Sequence, residues 1–212
     1  MKPIYFKKRS LGVMVVLFLV LFPQVSGATM APLEQMRETV AAILDIMQDE
    51  SLDDPVRKEE RRARLMALVN HRFDFMQMSR MTLGNNWLAR TSEERTSFQK
   101  LFSDLLKNNY IGRIEAYSDE KVEFAKEVFS RRHNDRAKVY TNIIKNGREI
   151  HINYSLHHQG EEWFVYDVVI EGVSLVRNYR TEFGRIIDKE KFPGLIERMQ
   201  EKIERNEVIR KK

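Results

Sequence analysis

The feature that most constrains the fold of this chain is a tight turn flanked by two alternating segments. Asn146-Gly147 is the residue pair most typical of a two-residue β-hairpin turn. After the turn, segment 149–157 alternates apolar and polar side chains, as a strand with one buried face does. The apolar positions there are Ile150, Ile152, Tyr154 and Leu156. Segment 136–145 alternates in the same way before the turn, so the two segments predict an antiparallel hairpin.

Two neighbouring segments extend this hairpin into a sheet. Segment 120–129 is a strand candidate, and segment 161–170 is apolar on both faces, which indicates a central strand. Gln159-Gly160 and Glu171-Gly172 mark the turns around that last segment. The pattern predicts an antiparallel meander of about four strands.

Segments with helical periodicity come before and after the predicted strands in the sequence. Apolar residues spaced by three and four predict helices over 33–49, 55–70 and 73–83. Thr91 and Glu94 form a capping box that opens a longer helix. After the sheet, Ser174 is a candidate N-cap, and a last helix is expected over 193–206. The predicted fold is α+β, a curved antiparallel sheet with N-terminal and C-terminal helices packed on its apolar face.

The N-terminus has the three-part pattern of a secretory signal peptide. Four basic residues precede an apolar run over 11–22, and Pro23 and the small residues Ser26, Gly27 and Ala28 follow it. The run is shorter than the roughly 20 residues of a spanning helix. We therefore expect cleavage after residue 27, leaving one exported domain over 28–212. No cysteine follows the run, which argues against a lipoprotein. The bacterial periplasm is the simplest location for such an exported domain.

Charge and composition argue against two classes of function, nucleic-acid binding and cysteine chemistry. The chain has 36 Lys and Arg against 31 Asp and Glu, but the expected leader holds four of the bases and none of the acids. The mature chain is then nearly neutral, so nucleic-acid binding loses its support from composition. With no cysteine in the chain, thiolate chemistry and cysteine-ligated zinc are excluded.

No motif argues for catalysis. None of the five histidines has the spacing of a metalloprotease motif. His157-His158 is expected in a solvated turn. Adjacent residues of a strand would point to opposite faces, so the two rings would bind one metal ion poorly. Asp167 is the one polar residue in an apolar run, so it should be paired, and Arg113, Arg177 and Arg180 are the candidate partners. The alternative is a polar contact between Asp167 and a ligand headgroup. The protein is not expected to be an enzyme.

Two stretches carry a family resemblance. Residues 166–180 read YDVVIEGVSLVRNYR, and residues 73–87 read FDFMQMSRMTLGNNW, with TSEERTSFQKLF following from 91. With the leader and the helix–sheet–helix order, they resemble the MlaC (toluene-tolerance) family over about residues 33 to 205.

The resemblance implies a monomeric periplasmic carrier whose cargo is a phospholipid. It would hold the acyl chains in an apolar cavity between sheet and helices, without a metal or covalent cofactor. It would shuttle lipid between an outer-membrane lipoprotein complex and an inner-membrane complex of an MCE protein and an ABC transporter, maintaining outer-membrane lipid asymmetry.

We expect the acyl chains to contact inward apolar positions on three parts of the fold. The predicted lipid-binding residues are Met81, Trp87, Phe102, Leu106, Tyr110, Val139, Ile152, Tyr154, Val168, Val173, Val176 and Tyr179. Arg177 and Arg180 could instead touch a phosphate at the cavity mouth.

Two other functions remain open at this point. One is a periplasmic scaffold or chaperone-like module with a solid core and protein partners only. The other is a secreted lipid hydrolase, for which the sequence offers no nucleophile motif.

Overall fold

The computed structural model describes residues 30–116 and 120–211, so the expected leader over 1–27 lies outside the described residues. Helices α1 to α5 precede the sheet, strands β1 to β5 form it, and α6 follows. The helices are α1 (Pro32–Gln48), α2 (Lys58–Arg72), α3 (Phe75–Leu83), α4 (Asn85–Leu88), α5 (Ser92–Glu115) and α6 (Leu175–Lys211). The strands are β1 (Lys121–Phe129), β2 (Arg136–Lys145), β3 (Arg148–Gln159), β4 (Glu162–Ile170) and β5 (Val173–Ser174).

The sheet is the antiparallel meander that the alternation predicts. Its strands follow in the order β1-β2-β3-β4-β5, every pair is antiparallel, and the sheet is open. Asn146 and Gly147 both have positive φ, 49° and 73°, as the primed turns of two-residue hairpins require. The α+β prediction is confirmed, and β5 adds a short fifth strand to the expected four.

Capping groups define where two helices begin. The Thr91 hydroxyl accepts the amide of Glu94 at 3.2 Å, and the Glu94 carboxylate accepts the amide of Thr91 at 2.9 Å, so the capping box is formed. The Ser174 hydroxyl accepts the amide of Arg177 at 3.1 Å, as expected for an N-cap. Helix α6 breaks at Lys191, whose φ is 62°, and Pro193 follows the break. The break divides α6 into the two predicted helices.

The buried side chains form two clusters. The helix cluster lies between α3, α5 and α6 around Phe98, Phe102 and Phe183. The sheet cluster lies between α1 and the sheet around Val139 and Leu156. Phe73 packs against both clusters, and the amide of Asp74 beside it donates to the carbonyl of Val165 on β4 at 2.9 Å. Among the described residues, no helix is long and apolar enough to cross a membrane.

Candidate functional site

Burial on the inner face of the sheet falls from one end to the other. Paired residues of antiparallel strands share a face, so the register shows which side chains lie on this face. At one end these side chains are buried; they are Ala137, Val139, Leu156, Trp163 and Val165. Tyr154 is half-buried between its buried partners Val139 and Val168. Beyond it, at the open end, the apolar side chains are only half-buried; they are Phe124, Ile143, Ile150, Ile152 and Ile170. An apolar face left partly uncovered is a candidate ligand surface.

Helix α1 shows the same gradient along its apolar stripe. Met36, near its start, is 2% exposed and belongs to the sheet cluster. One and more turns later, every apolar residue of the stripe is only half-buried; these are Val40, Ile43, Leu44 and Met47. The amide of Leu33 donates to the Glu127 carboxylate on β1 at 2.8 Å, which holds the start of α1 at the buried end of the sheet. The later turns of α1 therefore run toward the open end.

A buried polar network anchors the start of α1. The Arg72 guanidinium donates to Thr39 (3.0 Å) and Gln35 (2.9 Å) of α1 and to the carbonyl of Trp163 on β4 (2.7 Å). Gln35 in turn accepts the amide of Trp163 at 2.9 Å and donates to the carbonyl of Glu161. Burial lowers the pKa of Arg72, and Glu162, 4.0 Å away, partly offsets that effect. The network joins α1, α2 and the β3–β4 hairpin at the buried end.

We call the half-covered apolar surface formed by the later turns of α1 and the open end of the sheet the inner groove. Its polar groups are few and enclosed. Thr141 is 1% exposed and its hydroxyl donates to the carbonyl of Ile152 at 2.7 Å. Burial raises the pKa of Tyr154 to about 12, so its phenol stays neutral at physiological pH. These walls can hold an apolar ligand. The charged groups beside them are the Arg37 guanidinium of α1, which lies 4.7 Å from the centroid of the Phe124 ring, and the Glu127 carboxylate, which is bonded to the amide of Leu33.

The predicted lipid-binding residues divide between the two clusters. Val139, Ile152, Tyr154 and Val168 lie in the sheet cluster on the inner face. The other buried or half-buried ones belong to the helix cluster; they are Met81, Trp87, Phe102, Leu106, Tyr110, Val176 and Tyr179. Close aromatic contacts, such as Phe102 with Tyr179 at 5.4 Å between ring centroids, fill that cluster. The structure does not bring all twelve residues to one cavity.

Val173 stands apart from the other eleven. It is 56% exposed, whereas we expected it to line an enclosed wall. It pairs with Ile170 across β4 and β5, so its side chain lies on the inner face at the open end. The structure therefore places Val173 at the rim of the inner groove, and its contact with lipid stays a prediction.

Sequence reasoning missed the contribution of α1 to the inner groove. The spacing of Val40, Ile43 and Met47 predicts an apolar helix face, but it does not tell a solid contact from a half-covered one. Ile170 and Leu175, both half-buried in the sheet cluster, were likewise not among the predicted residues.

The expected arginine partner of Asp167 is wrong. Its carboxylate accepts the Ser174 hydroxyl at 2.7 Å and the amide of Val176 at 3.0 Å, so Asp167 caps α6. Arg177 and Arg180 are exposed. The structural interpretation of Asp167 as a link between sheet and helix holds, but backbone and hydroxyl donors supply the bonds.

His157 and His158 lie in β3 and not in a solvated turn. The His157 ring is 2.8 Å from a carboxylate oxygen of Asp74, while the His158 ring packs on Trp163 with 4.9 Å between centroids. The two rings have different neighbours, as expected for adjacent residues of a strand. Across residues 30–116 and 120–211, no group of His, Asp and Glu has the arrangement of a metal site.

An outer groove of about 690 Å³ lies between α3, α5 and the β3–β4 hairpin. Phe73, Phe75, Met76 and Phe164 line part of it, but most of the lining residues are polar, with Lys100, Asp104 and Lys107 among them. None of the predicted lipid-binding residues lines this groove. Such walls suit a polar ligand better than acyl chains.

Comparisons with known proteins converge on one family. The family described as MlaC protein matches residues 37–201. The intermembrane phospholipid transport system binding protein MlaC of Haemophilus influenzae is 29% identical over 123 residues, which are 56% of this chain and 57% of that relative. The match thus spans little more than half of the relative's length.

A solved structure shares the fold. It is that of a phospholipid-binding protein from Ralstonia solanacearum in complex with a phospholipid, with a TM-score of 0.73 and 21% identity. The match covers 84% of this chain and 99% of that one.

Proposed function

This chain belongs to the MlaC family, and from that membership we propose that it is a periplasmic phospholipid carrier. It takes up a phospholipid at one membrane complex and delivers it to another across the aqueous space. The donor and acceptor are an outer-membrane lipoprotein complex and an inner-membrane complex of an MCE protein and an ABC transporter. Through this exchange the protein maintains the lipid asymmetry of the outer membrane.

The observation that carries the proposal is the inner groove. Exposing two long acyl chains to water costs on the order of 20 kcal/mol, at about 0.8 kcal/mol per methylene. A carrier must therefore offer walls about as dry as a bilayer. The half-buried apolar residues of α1 and of the open end of the sheet form such walls, and acyl chains between them would complete the burial of both.

The groove offers binding without chemistry. The polar groups on its walls include the Thr141 hydroxyl, which is bonded to a backbone carbonyl, and the neutral phenol of Tyr154, and the Arg37 guanidinium lies over the Phe124 ring. We therefore assign no catalytic step to the protein, and the phospholipid is its cargo and not a cofactor. Export by cleavage of the leader after residue 27 would place residues 28–212 in the periplasm.

The test is to express residues 28–212 in the periplasm, purify the protein and identify bound lipid by mass spectrometry of an organic extract. The delipidated protein is then mixed with phospholipid vesicles, separated from them and extracted again. We expect phospholipid to copurify and to be taken up again. If no lipid is found in either extract, the scaffold hypothesis is favoured and the carrier proposal fails.

Val173→Glu tests where the cargo lies. Because Val173 is exposed at the rim, a carboxylate there should leave the fold intact but oppose the passage of apolar chains. We expect lipid recovered per mole of protein to fall at least about tenfold, since a charged rim group disfavours apolar contact by more than 1.4 kcal/mol. Val128→Glu is the matched control, because Val128 is 46% exposed and pairs with Lys138 on the face of β1 opposite to the inner face. Equal loading of the two variants would contradict the assignment of the rim.

A further inference from the structure

A charged groove of about 320 Å³ lies where α6 folds back on itself. Residues before and after the break at Lys191 form its two walls. They are Glu182, Arg185, Ile186, Lys189 and Glu190 on one side and Arg198, Lys202 and Arg205 on the other. The Glu190 carboxylate accepts two hydrogen bonds from Arg198, both 2.9 Å, and Lys202 lies 3.6 Å from Glu182. These two ion pairs connect the walls.

Three bases of this groove form neither a hydrogen bond nor an ion pair in the described part of the chain. Both of its carboxylates are already paired, by Arg198 and Lys202. Arg185, Lys189 and Arg205 make no hydrogen bond or ion pair with any residue that the structure describes. Lys189 also interacts electrostatically with the neighbouring Glu190 carboxylate, whereas Arg185 and Arg205 have no such partner among the described residues. Positive charges around one concave surface repel one another, and an anion bound between them would reduce that repulsion.

The charges around the groove favour a narrow anion over a broad one. Asp188, Glu197, Glu201 and Glu204 are exposed on the neighbouring faces of α6. A flat anionic bilayer would meet these acids together with the bases, since charges interact over a Debye length of about 8 Å at physiological salt. A carboxylate side chain that enters the groove meets the bases first, and an arginine guanidinium can bind it with two parallel hydrogen bonds.

We propose that this groove is a docking site for an acidic segment of a partner protein, bound through its carboxylates to Arg185, Lys189 and Arg205. The inference does not depend on lipid carriage, because the groove is formed by α6 alone and shares no residue with the inner groove.

The test uses a fluorescein-labelled hexaglutamate peptide as the probe and residues 28–212 as the protein. Binding is measured by fluorescence anisotropy at low salt for wild type, for the Arg185→Gln/Arg205→Gln variant and for a control. The control is Arg131→Gln/Arg132→Gln, two exposed arginines between β1 and β2 that lower the net charge equally. We expect the groove variant to bind about tenfold more weakly, since two ion pairs are lost, and the control to change less than about twofold.

Three results would overturn the proposal. The first is absence of peptide binding to wild type. The second is an equal loss of binding in both variants, which would show that only net charge matters. The third comes from flotation with vesicles of phosphatidylcholine and phosphatidylglycerol. If the groove variant loses vesicle binding while it keeps peptide binding, the occupant is a bilayer. All substituted arginines are exposed, so circular dichroism should show the same fold for each variant.

Discussion

Tyr154 is the residue through which burial of the inner face can be tested by titration. Burial raises its pKa from 10.0 to about 12, and the same cause raises that of Tyr179 to about 12. The unfolded chain loses these protons near pH 10, whereas the folded chain keeps them until about pH 12. Each neutral phenol therefore contributes stability that is fully present below pH 10 and is lost between pH 10 and 12, by about 1.4 kcal/mol per pH unit.

We predict that Tyr154→Phe loses less unfolding free energy between pH 10 and 12 than wild type does, by the contribution of one phenol. Urea unfolding at several pH values between 9 and 12 measures the slope of the unfolding free energy for wild type and variant. Tyr179→Phe is a less suitable probe, because the charges of Tyr110 and Glu182 add to burial in raising the pKa of Tyr179. Identical slopes for Tyr154→Phe and wild type would mean that the Tyr154 hydroxyl is hydrated in the folded protein.

Asp167 is the residue whose role changed most between sequence and structure. Asp167→Ala removes both the bond to Ser174 and the bond to the amide of Val176 at the start of α6. We expect the free energy of unfolding to fall by about 1–3 kcal/mol, the range for a lost cap and unsatisfied partly buried donors. Asp167→Asn, which keeps one oxygen acceptor, should lose less in the same denaturation experiment. Equal losses would show that the charge matters more than the acceptor.

The residue types told us that Asp167 needed a partner but not which one. Arginine was the natural expectation for a carboxylate in an apolar strand. The turn at Glu171 and Gly172 instead brings the chain straight back, so that the nearest donors belong to Ser174 and Val176. The two-residue turn between β4 and β5 determines which donors reach Asp167, and the chemistry of the side chains alone does not predict that turn.

Among the elements, the strands were the most predictable. The expected segments 120–129, 136–145, 149–157 and 161–170 differ from β1 to β4 by two residues at most. Burial of one face enforces strict alternation, and two-residue turns set the register, so both signals are local. The longer helices were also predicted, although α2 begins three residues after the expected start and the short α4 was not expected. Their packing partners were not predicted. An apolar stripe shows that a helix is covered on one side, and it does not show that α3, α5 and α6 pack together while α1 covers the sheet.

Alanine substitutions at two glycines of α6, one beside the bend at Lys191 and one before it, should change stability in opposite directions. A Cβ at Gly194 would lie 2.5 Å from the Cβ of Glu190, so Gly194→Ala must shift the bend, at about 1–3 kcal/mol. A Cβ at Gly184 would meet no atom within 4 Å, so Gly184→Ala should raise helix stability by about 0.5–1 kcal/mol. Urea denaturation of both variants checks the pair. A stabilising Gly194→Ala would mean that the two parts of α6 are not held this closely in solution.

At the scale of the whole molecule, the two clusters differ in how completely they are filled. The helix cluster is solid, with Phe98, Phe102 and Phe183 in mutual ring contacts of 5.8–5.9 Å. The sheet cluster is solid only at the end anchored by Arg72. The molecule therefore combines a rigid half with a half whose apolar walls are not closed by protein. Such a division allows cargo to enter and leave without unfolding the fold that holds it.

This division predicts which parts of the fold should lose local stability when lipid is removed. A ligand that binds only the folded state stabilises the regions it covers, by an amount set by its concentration and affinity. Hydrogen–deuterium exchange on lipid-loaded and delipidated protein should therefore show faster exchange without lipid in the later turns of α1 and around the β2–β3 turn. Amides of α5 and of α6 before Lys191 should exchange at unchanged rates, and reloading should restore the protection. If exchange quickens mainly in α5 and α6 instead, the acyl chains lie in the helix cluster, and the predicted residues there, Phe102 and Tyr179 among them, are the cargo contacts.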